Sequence, residues 1–436
     1  MDTFVNYYRE NNVTMGIKST SHGPEWKEWR SQLDADMYVA WQSYLPSIAM
    51  AARQISEVAG SEISGSGNEK VKFPDFISRS AFDMFYAVMF GSSPQTTSSA
   101  QVRAQDLEFV KAAKTAFDLT GALLQNPFEK MFQTDTFQKF NVNMDKVMDF
   151  GNEKVVEFMK EAREEENVAS ALTTASFTGD EVGAQGGESK CPVQALKKTA
   201  NNSILGRLLN KDNGIPDDEL GTIAGPMLMA GVDTTAYVMS WLYLNLASNP
   251  SVQTKLANEL KSVLNGDDVT TVEQMNSLPY LKACIRESHR LTPSTVMSAK
   301  KLEKDVEIVV DNKTYLAAAG TLIGLNLCAI PWDSKYVDEP LEYRPERFLS
   351  DAIEARKGTP SEIIDHPAFE DGFGRGKRRC LGANVARAEI MILAARLIQD
   401  WEITLADPSQ KDEWEPKQYL MLKAEPYPEM KLTPRK

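Results

Sequence analysis

The chain has no stretch of about eighteen uninterrupted apolar residues, which excludes a transmembrane helix legible from hydropathy. Its opening, Met1-Asp-Thr-Phe-Val-Asn-Tyr-Tyr-Arg-Glu10, lacks the basic-then-apolar order of a secretory leader. Histidine is scarce: only His22, His289 and His366 occur, too scattered to suggest a His-ligated metal. The four cysteines, Cys191, Cys284, Cys328 and Cys380, form no C-x-x-C pair and no dense spacing, which argues against a disulfide framework or a structural zinc site. Basic charge is not in excess either. The formal net charge of -13 argues against general nucleic-acid binding. There is no internal repeat.

What is present reads as helix. Hydrophobic residues make up 42% and charged residues 25% of the 436 positions, enough for a sizeable core. Helical spacing covers Ala40 to Val58, Phe73 to Phe90, Val102 to Ala122 and Thr136 to Ala162. Residues 163–190 are polar and small, which predicts a flexible insert, with regular pattern resuming near Pro192. Ile215-Pro-Asp-Asp-Glu219 is a helix start, with acids against the positive end of the dipole. The apolar run behind it continues to about Ala247, where Asn249-Pro250 stops it. Another helix starts at Ser277 with Pro279 and ends at Thr292-Pro293. Strand-like runs follow at Val306–Val310 and Thr321–Leu327 around a turn at Asp311-Asn312, and again between Tyr419 and Leu432. The class expected is mainly α with small late sheets, as one domain over 1–436.

The densest chemistry lies in Phe373-Gly374-Arg-Gly376-Lys-Arg378-Arg-Cys380-Leu-Gly382, directly ahead of a helical pattern from Ala383 to Asp400. Glycines let a backbone bend tightly and approach a flat ligand. Arginines take carboxylates in a forked contact. A helix N-terminus and nearby cations favour the thiolate of a cysteine. A basic surface turn with an incidental cysteine is the plain alternative. A phosphate loop fits poorly, because no Gly-Lys-Ser/Thr follows. The pattern Phe-x-x-Gly-x-Arg-x-Cys-x-Gly resembles the haem-ligand loop of the cytochrome P450 family.

Three further motifs follow the family's order. Ala230-Gly-Val-Asp233-Thr234-Thr235 sits in the middle of the long apolar run. Gly231 costs roughly 1 kcal/mol there relative to Ala, and a Thr234 hydroxyl can bond the Ala230 carbonyl and bend the helix. A local opening beside an acid and an alcohol is the expectation. Glu287 and Arg290 are three apart on one helix face, and Tyr343-Arg-Pro-Glu-Arg347-Phe lies downstream. Trp26 and Arg30 are four apart, with an indole N–H and a guanidinium on one face.

The resemblance covers most of the chain and implies a triangular helical P450 fold. It assigns Cys380 as axial iron ligand of haem b (iron-protoporphyrin IX) and Phe373, Gly374, Gly376 and Gly382 to the loop around it. It gives Arg378, Trp26 and Arg30 to the haem propionates, with Lys300 standing where the family usually has Arg or His. Thr234 would hold oxygen and its water, Asp233 would relay protons, and Glu287, Arg290 and Arg347 would form a buried network. The implied reaction is a monooxygenase's, inserting one atom of O2 into an apolar small molecule. Electrons would come from a ferredoxin or a flavoprotein reductase. A haem-thiolate isomerase or dehydratase, or an inactive haem-binding fragment, are the alternatives.

Lys282-Ala-Cys-Ile-Arg286 also resembles the basic helix that mitochondrial-type members offer a ferredoxin, with Arg375, Lys377 and Arg379 expected on the same side. Those members usually have arginines where Ala383-Asn384 stands. In the family far more chain precedes the Trp-x-x-x-Arg helix than the 22 residues before Gly23. The resemblance therefore implies a missing N-terminal sheet region, and with it any segment addressing the endoplasmic reticulum or a mitochondrial membrane. It also implies unpaired edges on the late strands.

Overall fold

Stripes of apolar residues at helical spacing need a partner surface, and the longest of them supplies it. The computed structural model of the protein describes residues 2–20, 23–64, 71–126, 128–176, 202–209, 215–370, 372–412, 414–418 and 421–435. Its principal helices are α1 (Pro24–Asp34), α2 (Leu45–Ser64), α3 (Phe73–Phe90), α4 (Ala104–Gln125), α5 (Asp135–Ser176), α6 (Leu220–Ser248), α7 (Pro250–Leu264), α8 (Pro279–Leu291) and α9 (Ala383–Asp400). Helix α6 is apolar on nearly every face, as a core helix must be. Its 29 residues span roughly 44 Å. It packs against α5, α3 and α4. One buried apolar cluster draws on residues from Tyr7 to Leu432. The class is mainly α with small antiparallel sheets.

The α5–α6 crossing is built on glycine. A Cβ on Gly151 would lie 2.5 Å from the Gly225 amide nitrogen and 2.6 Å from the Gly221 carbonyl oxygen. Backbones approach this closely only without side chains. Gly231 serves another contact, since a Cβ there would meet the Phe85 ring at 2.8 Å.

Four two-stranded antiparallel sheets complete the described fold. Strand β1 (Met297–Lys301) pairs with β4 (Leu322–Asn326), and β2 (Val306–Val310) with β3 (Lys313–Ala317). Strand β5 (Trp401–Leu405) pairs with β8 (Met430–Pro434), and β6 (Glu415–Gln418) with β7 (Leu422–Glu425). Asp311 and Asn312, both at positive φ (48° and 61°), make the two-residue hairpin turn that right-handed strand twist favours. The β1–β4 and β2–β3 pairs are open to solvent: Met297, Leu322, Val309 and Leu316 are all more than 60% exposed.

Two expectations need correcting. The insert expected at 163–190 begins as helix, because α5 runs unbroken to Ser176 through a stretch rich in Glu and Ala, both good helix formers. Residues 177–190, with Cys191 and Pro192, lie outside the described residues, as does His22. The helix expected from Ala40 instead starts at Leu45, after a π turn at Ala35–Val39 and a 3-10 turn at Ala40–Tyr44. Pro46 has no N–H to continue a helix from upstream, but it is tolerated in a first turn. Among the described residues no helix is long and apolar enough to cross a membrane.

Gly151→Ala should overpack the crossing and destabilise the protein by about 1–3 kcal/mol in denaturant melts. A wild-type midpoint would mean that the two helices separate freely there.

Candidate functional site

Cys380 sits where a loop hands over to a helix. Gly382 caps α9, its carbonyl accepting from the Ala386 amide at 2.8 Å. The Cys380 amide donates to the Phe373 carbonyl at 2.8 Å, closing the loop. Gly374 and Gly376 take φ of 71° and 75°, which glycine adopts without strain, and a side chain at either would meet nothing within 4 Å. Gly382 has an ordinary backbone, and an added Cβ would only touch Met37 and the Cys380 sulfur. The Cys380 thiol is exposed at the positive end of α9. Cys284 and Cys328 are buried, and burial pushes the Cys328 thiol up to about 11 and that of Cys284 well above its usual range. Among the described cysteines, Cys380 alone is exposed.

Helix α1 lies against this loop. The Arg378 guanidinium stacks 4.1 Å from the centroid of the buried Trp26 ring, and desolvation lowers its proton affinity. Arg30 Nη1 donates to the Arg379 carbonyl at 2.9 Å, and Nε to Asp34 Oδ1 at 2.6 Å. Trp26, Arg30 and Arg378 are thus brought together beside Cys380, with Arg30 shared between the loop and Asp34. Lys300 is exposed on β1 opposite Ile323. No hydrogen bond or ion pair among the described residues ties it to the loop.

On α6, Thr234 Oγ1 donates to the Ala230 carbonyl at 2.7 Å. The expected opening of the helix is not formed: α6 is continuous, because this bond adds a donor to the carbonyl without displacing the backbone amide. Asp233 is 1% exposed and its Oδ2 has no hydrogen-bond partner. Burial first, and then the Asp118 charge, push its carboxyl up to about 8, against the opposing Lys114 and Lys423.

Glu287 is fully buried and accepts from Arg290 Nε (2.7 Å) and Nη2 (2.9 Å), Arg347 Nε (3.2 Å) and the Arg344 amide (2.9 Å). The remaining donors of Arg290 reach the Pro331, Pro340 and Glu342 carbonyls, and Arg347 reaches that of Glu339. A buried, hydrogen-bonded charge network loses about 3–5 kcal/mol when one partner is removed. The carbonyl acceptors escape sequence reasoning because any residue type can provide them.

The basic face is partly neutralised. Arg286 pairs with Asp365 at 3.0 Å and stacks on Phe348, and Arg375 pairs with Glu370 at 2.9 Å. Lys282 donates to Asn276 Oδ1. A separate cavity of about 430 Å³ lies behind Arg344, Arg347 and Arg356, with no lining residue from the cysteine loop.

The family model described as cytochrome P450 matches residues 2–430. The chain belongs to the cytochrome P450 family. It is 34% identical over 219 residues to "Probable cytochrome P450 12a5, mitochondrial" of Drosophila melanogaster, covering 50% of this chain and 39% of that protein. It is 31% identical to the mitochondrial 1,25-dihydroxyvitamin D(3) 24-hydroxylase of Mus musculus, covering 43% and 34%. It is also 31% identical to the 2-hydroxyisoflavanone synthase of Glycine max, covering 44% and 36%. The matches thus span less than two-fifths of the length of these relatives.

P450 proteins carry haem, and this site fits one. An exposed cysteine ahead of a helix N-terminus lies in a loop bent by two left-handed glycines, with Trp26 and the guanidinium groups of Arg30 and Arg378 alongside.

The raised Asp233 carboxyl has a consequence for stability. The unfolded chain releases this proton near the ordinary value of 3.8, but the folded one holds it to about 8. Its contribution is complete below pH 3.8 and is lost as pH rises toward 8. Asp233→Asn should therefore flatten the decline of the thermal midpoint across that window. Equal slopes in the two proteins would show that Asp233 is ionised in the fold.

Proposed function

We propose that this P450 is a haem-thiolate monooxygenase that inserts one oxygen atom from O2 into an apolar small molecule. The observation that carries the reading is the exposed Cys380 thiol, framed by Phe373, Gly374, Gly376 and Gly382 beside the Trp26–Arg378 stack. Haem b, held by the Cys380 thiolate, would supply the iron chemistry that activates O2. Arg378, Trp26 and Arg30 would anchor its propionates from α1 and the loop. Lys300 would contribute only if β1 carries it to the same edge.

The protein's own part in the chemistry lies on α6. Asp233 stays neutral near pH 7, so it has a proton to give. Thr234 lies next to it, its hydroxyl oriented by the Ala230 carbonyl. The pair would hold water and pass protons to the oxygen site. Glu287, Arg290 and Arg347 would support the fold beneath the loop.

Electrons would arrive from a ferredoxin or a flavoprotein reductase at the side bearing Lys282, Lys377 and Arg379. The mitochondrial proteins among the relatives favour a ferredoxin and a mitochondrial location.

Cys380→Ser should abolish the long-wavelength absorption band of the reduced, CO-bound protein, because an alcohol is a poor anionic donor near neutral pH. Cys284→Ala should keep that band. Survival of the band in Cys380→Ser would refute thiolate ligation by this residue. In the loaded enzyme, Thr234→Ala should lower product formed per nicotinamide consumed and raise peroxide. An unchanged ratio would remove Thr234 from proton delivery.

A further inference from the structure

Asp34 stands against two preferences of the helix that carries it. It is the last residue of α1, where an acid meets the negative end of the helix dipole, and no basic residue offsets it in that turn. Its pairing with Arg30, four residues back, runs in the weaker order, with the base N-terminal to the acid. Neither choice helps α1 as a helix. Residues that break local rules concentrate where function needs them.

What Asp34 does is fix a guanidinium. Arg30 Nε donates to Asp34 Oδ1 at 2.6 Å, and Nη1 donates to the Arg379 carbonyl at 2.9 Å. That carbonyl belongs to the peptide bond leading into Cys380. The cysteine amide, on the other side of the same bond, donates to the Phe373 carbonyl at 2.8 Å. The Arg30 guanidinium also lies 5.7 Å from the centroid of the Tyr38 ring, and the Tyr38 hydroxyl accepts from Arg379 Nη1 at 3.2 Å. A planar fork held at two nitrogens has its orientation fixed. The third nitrogen, Nη2, has no hydrogen-bond partner among the described residues. The Arg30 side chain is 14% exposed and that of Asp34 45%, so the acid lies nearer solvent than the base it holds.

We propose that Asp34 is a positioning residue for the haem pocket: it locks Arg30 across the Arg379–Cys380 peptide, so that Nη2 is left for a haem carboxylate. The inference rests on the reading of Cys380 and Arg30 as haem-binding residues. Two consequences separate this role from an ordinary surface ion pair, which would matter only to the stability of α1. Asp34 acts on the pocket only through Arg30. Its charge also offsets that of the guanidinium, so removing it leaves a more positive potential at the carboxylate edge and makes the iron easier to reduce.

The test uses the haem-loaded full chain. Haem transfer to an excess of haem-free globin reads how firmly the pocket holds it. Asp34→Ala should speed transfer about two- to fivefold, the range of a partly exposed ion pair. Asp34→Asn, which keeps an acceptor oxygen for Nε, should speed it less. In an Arg30→Gln background, Asp34→Ala should change nothing further. Spectroelectrochemistry gives a second reading: the reduction midpoint should rise in Asp34→Asn and fall in Arg30→Gln. The proposal is overturned by wild-type transfer in Asp34→Ala, by an equal acceleration with and without Arg30, or by midpoints that shift the same way in Asp34→Asn and Arg30→Gln. Should Asp34→Ala fail to fold, the nearly isosteric Asp34→Asn decides through the midpoint. The underlying reading has separate arms. If Cys380→Ser keeps the long-wavelength band, thiolate ligation fails whatever Asp34 does. If Arg30→Gln transfers haem at the wild-type rate, Arg30 is no anchor and the proposal falls with it. If Arg30→Gln speeds transfer while Asp34→Ala does not, only the role of Asp34 is lost.

Discussion

Between residues 327 and 349 the chain has neither strand nor α-helix, only one 3-10 turn at Pro345–Phe348. Such a stretch cannot satisfy its backbone through a ladder of its own. It is held by Glu287. That one carboxylate fixes Arg290 and Arg347, and the two guanidinium groups then take up the carbonyls of Pro331, Glu339, Pro340 and Glu342. Phe348, directly after Arg347, meets the guanidinium groups of both Arg286 and Arg356, which pair with Asp365 and carry the same order outward. Two cations for one anion would be a poor buried arrangement on their own. The carbonyl dipoles make it workable.

The helices were legible where punctuation was local. Pro74 in the first turn and Gly91 in the left-handed conformation bound α3, and both are visible in the sequence. Helix α9 runs from Ala383 to Asp400, matching the apolar pattern residue for residue. Strand β5 was missed because it follows α9 with no Gly or Pro between them. Strand β3 was missed because Lys313 and Ala317 are weak strand formers, and its pairing with β2 decides the conformation. The bond from Thr234 to Ala230 is one helical turn long and could be read from spacing. The contact of Lys423 with Asp118 joins residues 305 apart and could not.

Glycine and acid each divide their labour in this chain. Gly374 and Gly376 are conformational, while Gly151, Gly221, Gly225 and Gly231 are spatial, because neighbouring atoms fill the place of a Cβ. The carboxylates that make the chain acidic overall are mostly on the surface, but several are buried, among them Asp233 on α6 and Glu389 on α9. Glu389, like Asp233, is pushed up by burial, well above the usual range, and its Oε1 has no partner.

No described sheet has more than two strands. A two-stranded hairpin is marginal unless something covers a face of it. Sheet β5–β8 is covered, with Ile403, Leu405, Met430 and Leu432 all buried. Sheets β1–β4 and β2–β3 are not. Their amides should exchange faster than those of the helical core, whereas those of β5–β8, packed on α2 and α6, should exchange only when those helices release the sheet. Burial thus predicts a molecule graded in cooperativity, with one sheet tied to the global unfolding unit and two others opening on their own.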